Sequence, residues 1–214
     1  MINKNYFFQW SINFFLVLLL SACISPDNGR NLNNPSLKGE EIAKQDCSNC
    51  HGLNGQSISQ QFPKLAGQQQ AYLKAQLTDF KGHLRKDING TQYMWGFTHL
   101  TSTQVEELAT YFSTQSPMKG KHLVSSETKL GEEIYRNGIS QQGVLACSAC
   151  HGNEALGNAE IPRLSGQHFS YLYKQLMVFK YTDDRPRGQA MKQVIHNMSD
   201  YEAKSISVYL SSLD

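Results

Sequence analysis

Two stretches of this chain have a residue order that is chemically specific. Cys47-Ser48-Asn49-Cys50-His51-Gly52 recurs as Cys147-Ser148-Ala149-Cys150-His151-Gly152. Cys-x-x-Cys-His is the attachment signature of covalently bound haem. The two thiols add across the two vinyl groups of the porphyrin and become thioethers. A two-residue spacing lets one turn of chain present both sulfurs to one porphyrin edge, and the adjacent imidazole then reaches the iron. On this reading Cys47, Cys50, Cys147 and Cys150 carry two haem c groups, and His51 and His151 are their proximal iron ligands. Two other uses of paired cysteines fit less well. A thioredoxin-like site needs a βαβ context, and no alternating β pattern of useful length is present. A four-cysteine zinc site draws on both pairs at once, whereas these pairs sit a hundred residues apart at matching places in a repeat.

The repeat runs well beyond the motif. Gly39-Glu40-Glu41-Ile42 returns as Gly131-Glu132-Glu133-Ile134, and Pro63-Lys64-Leu65-Ala66-Gly67-Gln68 as Pro162-Arg163-Leu164-Ser165-Gly166-Gln167. Tyr72-Leu73 and Gln76-Leu77 return as Tyr171-Leu172 and Gln175-Leu176. The landmarks keep their order, and an eight-residue insertion around Arg136 to Gly143 accounts for most of the drift in spacing. The elements that must position the motif read as helices. Leu73, Leu77 and Phe80 share a helical face, as do Phe169, Leu172, Leu176 and Phe179. Val105, Leu108, Ala109 and Phe112 give the i, i+3, i+4, i+7 pattern, and Ile206, Tyr209, Leu210 and Leu213 repeat it. Thr101 with Gln104, and Ser199 with Glu202, are capping-box starts for these last helices. The predicted fold is all-α, with domains at residues 37–116 and 129–214 and a linker at 117–128 that contains Pro117 and Gly120. Domains of this size are marginal on their own core, and a large apolar cofactor would add buried surface.

The chain has 214 residues, a net charge of +2 and a sequence pI near 8.2, so nothing points to a nucleic-acid partner. Its first 22 residues form a signal segment, with Lys4 near the start and an apolar run from Phe14 to Leu20 too short to span a bilayer. Leu20-Ser21-Ala22-Cys23 resembles a bacterial lipobox, which makes Cys23 a lipidation site and the mature N-terminus. Ile24 rather than Asp follows, which favours the outer membrane of a Gram-negative cell by the same resemblance. Residues 23–36 are polar and rich in turn formers and read as a flexible tether. With Cys23 set aside, the four other cysteines are those of the two motifs.

Together these residues resemble the cytochrome c4 family, the dihaem class I c-type cytochromes of bacterial respiratory chains. The resemblance covers residues 37–214 and rests on both Cys-x-x-Cys-His-Gly motifs, the Pro-x-Leu-x-Gly-Gln segments, the Gln-Leu pairs and the terminal helices with Tyr111 and Tyr209. It implies a tandem pair of class I cytochrome c domains packed face to face, each iron held by His and Met. In that family a proline about a dozen residues after the motif supplies the carbonyl that orients the proximal imidazole. Pro63 and Pro162 stand 12 and 11 residues after His51 and His151, although a proline there can also simply shape a loop.

The sixth ligand decides the chemistry. An open position permits small-ligand or peroxide reactions, while Met closes the site and raises the potential. Met94 and Met191 lie where the family places this ligand. Counted back from the caps, Tyr93 rather than Met94 matches Met191, but a one-residue deletion between His99 and Thr101 restores Met94. His99 and His196 are the alternative, bis-His ligands, and Met198 reads as core packing. His83, His122 and His168 lack counterparts and are expected at the surface. Lys81, Arg85, Lys180, Arg185 and Arg187 follow the middle helices, either as partners for haem propionates or as a solvated basic surface. The resemblance implies an electron carrier in the periplasm rather than an enzyme. Its redox partners would be a quinol–cytochrome c reductase-type donor and an oxidase-type acceptor, and its membrane contact a lipid anchor. A dihaem oxidoreductase acting on thiosulfate or peroxide, and an anchored subunit of a larger complex, are the alternatives.

Overall fold

A computed structural model describes residues 34–97 and 99–214. The signal segment, Cys23 and most of the tether lie outside the described residues. Among the described residues no helix is long and apolar enough to cross a membrane, and the only β pairing is two isolated bridges, Ile139 with Val144 and Asn158 with Ile161. The all-α expectation therefore holds. In the first half α1 (Gly39–Ile42) runs through a wide π turn (Ala43–Cys47) into α2 (Ser48–His51). Then come α3 (Gln70–Lys81), α4 (Ile88–Met94) and α5 (Ser102–Ser113). The second half repeats the order with α6 (Ser126–Asn137), α7 (Ser148–His151), α8 (Phe169–Tyr181), α9 (Gln189–Ile195) and α10 (Asp200–Ser212).

Both terminal helices start as their sequences predict. Thr101 Oγ1 accepts from the Gln104 N–H at 3.1 Å while Gln104 Oε1 accepts from the Thr101 N–H at 2.9 Å. Ser199 and Glu202 do the same at 3.2 and 2.6 Å. Their apolar faces then supply one core cluster per half. Val105, Leu108 and Phe112 gather with Ile42, Leu73 and Leu100. Ile206 and Leu210 gather with Ile134, Leu172, Ile195 and Met198. Met198 and Leu100 are each 1% exposed, so Met198 is a core residue. The recurring Gly-Glu-Glu-Ile segment has a steric explanation. A Cβ at Gly131 would overlap the Ser205 carbonyl oxygen of α10, and one at Gly39 would overlap Glu107 of α5. The short opening helix can cross the last helix this closely only with glycine at the crossing.

Three features depart from the sequence reading, and one adds to it. Phe169 is 36% exposed and lies flat against Tyr173, because the residue before it, His168, takes the inward position. His168 is thus buried rather than at the surface. Lys81 and Lys180 are not free surface cations, since their Nζ groups donate to the carbonyls of Leu100 and Met198 and tie each middle helix to the segment before the last helix. The segment at 117–128 is stitched down in its first part. Met118 is fully buried, its N–H donates to Ala66 O at 3.1 Å, and the Lys121 N–H donates to Ser211 O at 3.1 Å.

Replacing Gly131 with Ala forces α6 away from α10. Overpacking of this kind costs about 1–3 kcal/mol, and denaturant unfolding of the haem-loaded protein should show a lower midpoint at an unchanged m-value.

Candidate functional site

Each Cys-x-x-Cys-His motif occupies a single helical turn. The His151 N–H donates to Cys147 O at 2.9 Å, and the Gly52 and Gly152 N–H groups close the turns on Ser48 O and Ser148 O at 2.9 and 3.0 Å. Gly52 and Gly152 then leave at φ of 78° and 79°, a conformation that favours glycine and that turns the chain away at once. The turn brings the two sulfurs of a motif to one side with the imidazole directly after them. Burial raises the Cys47 thiol to about 12, with Asp46 adding to the effect, and the Cys147 thiol to about 11. Both sulfurs are therefore neutral thiols at physiological pH, unlike the low-pKa cysteines of redox and thiolate chemistry.

His51 and His151 are 6% and 7% exposed. Burial lowers the pKa of both rings, against the opposing pull of a backbone carbonyl, so both are neutral. That carbonyl is Pro63 O, 2.8 Å from His51 Nδ1, and Pro162 O, 3.1 Å from His151 Nδ1. A carbonyl only accepts, so Nδ1 carries the proton and the lone pair sits on Nε2. The structure thus brings each predicted proline to its predicted histidine.

One connected cavity of about 550 Å³ runs between the halves, and all four motif cysteines and both histidines line it. Met94 and Met191 line it too, as does Tyr93. His99 and His196 do not. Their Nδ1 atoms sit 3.1 and 2.7 Å from Gly96 O and Gln193 O, one turn back along their own segments. Among the described residues no group of three or more His, Cys, Asp or Glu is placed to hold a bare metal ion.

The cytochrome c family model matches residues 36–116. Cytochrome c-552 of Acidithiobacillus ferridurans is 36% identical over 78% of this chain and 74% of its own length. Cytochrome c4 of Stutzerimonas stutzeri is 34% identical over 78% of this chain and 84% of its own. The crystal structure of reduced cytochrome c4 from Pseudomonas stutzeri superimposes with a TM-score of 0.74 at 33% identity, covering 82% of this chain and 97% of that one. The chain belongs to the cytochrome c4 family. A protein named thiosulfate dehydrogenase electron acceptor, from Thiomonas intermedia, is also similar, at 31% identity over 78% of this chain and 77% of its own.

Membership of the cytochrome c4 family implies covalently bound haem c, and the cavity suits it. Its wall is apolar, each motif supplies two thiols, and a neutral imidazole with a free Nε2 stands beside them. Among the polar residues on its wall, the arginines are specifically paired. Arg85 and Arg185 are 5% and 7% exposed, so they are buried rather than a solvated surface. Arg85 Nε bonds Asp87 Oδ1 at 2.5 Å and its Nη1 donates to Gln76 Oε1 at 2.9 Å. Arg185 donates to Gln175 Oε1, to Gln76 Oε1 at 2.8 Å and to Tyr72 Oη at 3.1 Å. Arg187 crosses to Asp79 of the first half at 3.1 Å. These contacts between halves were not read from the sequence, although the recurrence of Tyr-Leu and Gln-Leu marked the residues that make them.

Burial would raise the Asp87 carboxyl, but the hydrogen bond and charge of Arg85, with Arg185 nearby, outweigh it and hold the group below its ordinary 3.8. A lowered folded pKa contributes stability above the unfolded pKa and loses it as pH falls through the folded value. Asp87 therefore stabilises the protein above about pH 4, with the contribution fading in more acid solution. Asp87→Asn strands Arg85 and should cost about 3–5 kcal/mol at neutral pH. Unfolding curves taken from pH 7 to pH 2 should show a shallower acid dependence in that variant than in the unaltered protein.

Proposed function

We propose that this chain is a dihaem electron carrier in which His51 with Met94, and His151 with Met191, hold two irons. The observation that carries the reading is the pair of buried neutral imidazoles, each fixed by a proline carbonyl, in a cavity that also receives a methionine from α4 and from α9. Haem iron supplies a one-electron ferric/ferrous couple. The chain's task is to keep that couple six-coordinate, dry and close to its neighbour. Cys47 and Cys50, and Cys147 and Cys150, anchor the two porphyrins, and residues 37–116 and 129–214 form one binding domain each. The cations that line the cavity, and so are the candidates for the porphyrin acids, are Lys64, Arg85, Arg163, Arg185 and Arg187, while Lys81 and Lys180 donate to carbonyls.

On this reading the protein works in the periplasm of a Gram-negative bacterium, tethered through lipid on Cys23 and residues 23–36, with the outer membrane favoured by Ile24. It takes electrons from a quinol–cytochrome c reductase-type donor and passes them to an oxidase-type acceptor. A second donor class has specific support. The relative named a thiosulfate dehydrogenase electron acceptor is by that name a recipient of electrons, which favours carriage from a thiosulfate-oxidising enzyme over catalysis by the chain itself. The placement of His99 and His196 away from the cavity also favours His/Met over bis-His ligation.

Redox titration with near-infrared spectroscopy tests the ligation, and His/Met signatures at both irons are the expected result. Carbon monoxide gives an independent test. The reduced protein should bind none rapidly, while Met94→Ala and Met191→Ala should each bind one equivalent per chain. Rapid binding of two equivalents by the unaltered protein would overturn the six-coordinate assignment.

A further inference from the structure

Gln68 and Gln167 hold matching places in the two halves and are 5% and 4% exposed. Each carboxamide crosses into the opposite half and binds one residue's backbone at both ends. The Lys64 N–H donates to Gln167 Oε1 at 2.9 Å, and Gln167 Nε2 donates to Lys64 O at 2.9 Å. In mirror fashion the Arg163 N–H donates to Gln68 Oε1 at 2.7 Å, and Gln68 Nε2 donates to Arg163 O at 2.9 Å.

Lys64 and Arg163 directly follow Pro63 and Pro162. The Lys64 N–H and the Pro63 carbonyl are therefore two ends of one peptide group. Its oxygen accepts from His51 Nδ1 at 2.8 Å while its N–H donates to Gln167. The Pro162–Arg163 peptide likewise joins His151 Nδ1, at 3.1 Å, to Gln68. A hydrogen-bonded chain thus runs from each proximal imidazole, through one peptide, to a glutamine of the other half.

Hydrogen bonds in such a chain polarise one another, the more so in a low-dielectric interior. An acceptor on the N–H end makes the carbonyl end a better acceptor. A better acceptor on Nδ1–H in turn makes the imidazole a more basic, more electron-donating metal ligand. Electron donation to iron favours the ferric state and lowers the potential.

We infer that each glutamine is a positioning residue for the opposite haem site: Gln167 tunes the iron held by His51, and Gln68 tunes the iron held by His151. The inference rests on the proposed function, because it requires iron on both imidazoles. It assigns crossed effects, which packing alone does not. Loosening of the contact between halves admits water to both sites together.

The test uses the full-length, haem-loaded protein with Gln167→Met and Gln68→Met, nearly isosteric side chains whose thioether is a far weaker acceptor for the peptide N–H than a carboxamide oxygen. Midpoint potentials are measured for each haem by titration followed through haem-methyl resonances in paramagnetic NMR. The resonances are assigned to their halves with the Met94 and Met191 variants. Gln167→Met should raise the potential of the His51 site and leave the His151 site unmoved, and Gln68→Met should do the reverse. Gln167→Ala and Gln68→Ala, with the same expected pattern, replace either variant that fails to load two haems. A shift at the glutamine's own half, equal shifts at both sites, or no shift would overturn the inference. Absence of the His/Met near-infrared signature from the unaltered protein would instead overturn the functional reading, and the crossed shifts would remain measurable.

Discussion

Each half is organised around a single requirement: one imidazole must be buried, neutral and fixed in orientation. A ring taken out of water needs its polar nitrogen satisfied, and here that partner is a proline carbonyl about a dozen residues later in the chain. The helical turn carrying the imidazole is four residues long. A turn that short has no stability of its own, so the surrounding fold must hold it. In the first half α1 and the π turn lead directly into it. In the second half the chain detours through Gly138 and the Ile139–Val144 bridge before Cys147. The close crossings at Gly39 and Gly131 then set where each turn begins relative to the last helix. The proximal geometry, the glycine crossings and the capped terminal helices are thus successive answers to one constraint.

The contact between halves is polar where an apolar seam would have sufficed for adhesion. Arg85, Arg185, Gln76, Gln175 and Asp87 form one buried network, and His168 Nε2 meets Ser57 O at 2.8 Å across the same boundary. Buried polar groups are costly unless every member finds a partner, so such a network tolerates one register and penalises sliding. Two redox centres that exchange electrons need a fixed separation, and a network of this kind fixes it better than interchangeable apolar side chains.

Much of this could be read from the sequence because much of it is local. The haem-attachment motifs are contiguous, the capping boxes span four residues, and the terminal helices declare themselves by periodicity. The proline partners were visible because they recur at nearly the same distance from the motif. Non-local features were not visible in the same way. Gln68 and Gln167 stood out only as repeated letters, since nothing in one chain segment states that its carboxamide will pair with a backbone 95 or 103 residues away. Lys81 and Lys180 read as propionate partners or as solvated cations, because a lysine that caps a distant carbonyl has no local signature. His168 was misplaced for a related reason. Its helix begins one residue later, and the face turned inward at a helix start is set by the chain's entry angle rather than by periodicity.

The neighbours of Tyr93 bear on the register at Met94. Tyr93 and Met94 both line the cavity, and Tyr93 is held by partners of its own. Gln61 Nε2 donates to Tyr93 Oη at 2.6 Å and the ring packs edge-on against Phe62 at 5.1 Å. The phenol is thereby committed to the rim, bridging the loop after the motif and α4. The position matching Gln61, two residues before the proline, is Glu160 in the second half, and it approaches Arg187 at 3.8 Å. Both copies therefore reach across the rim from the same place with different chemistry, a neutral hydrogen bond in one and an exposed ion pair in the other. Exposed ion pairs are screened by salt, whereas a neutral hydrogen bond is not. Arg187 is also shared with Asp79 of the first half, so closure of the second site is tied to the docking of the two halves. Closure of the first is internal to it. The two halves thus place matching cysteine, histidine and methionine residues along one cavity and differ in what spans its rim, Gln61 with Tyr93 in one and Glu160 with Arg187 in the other.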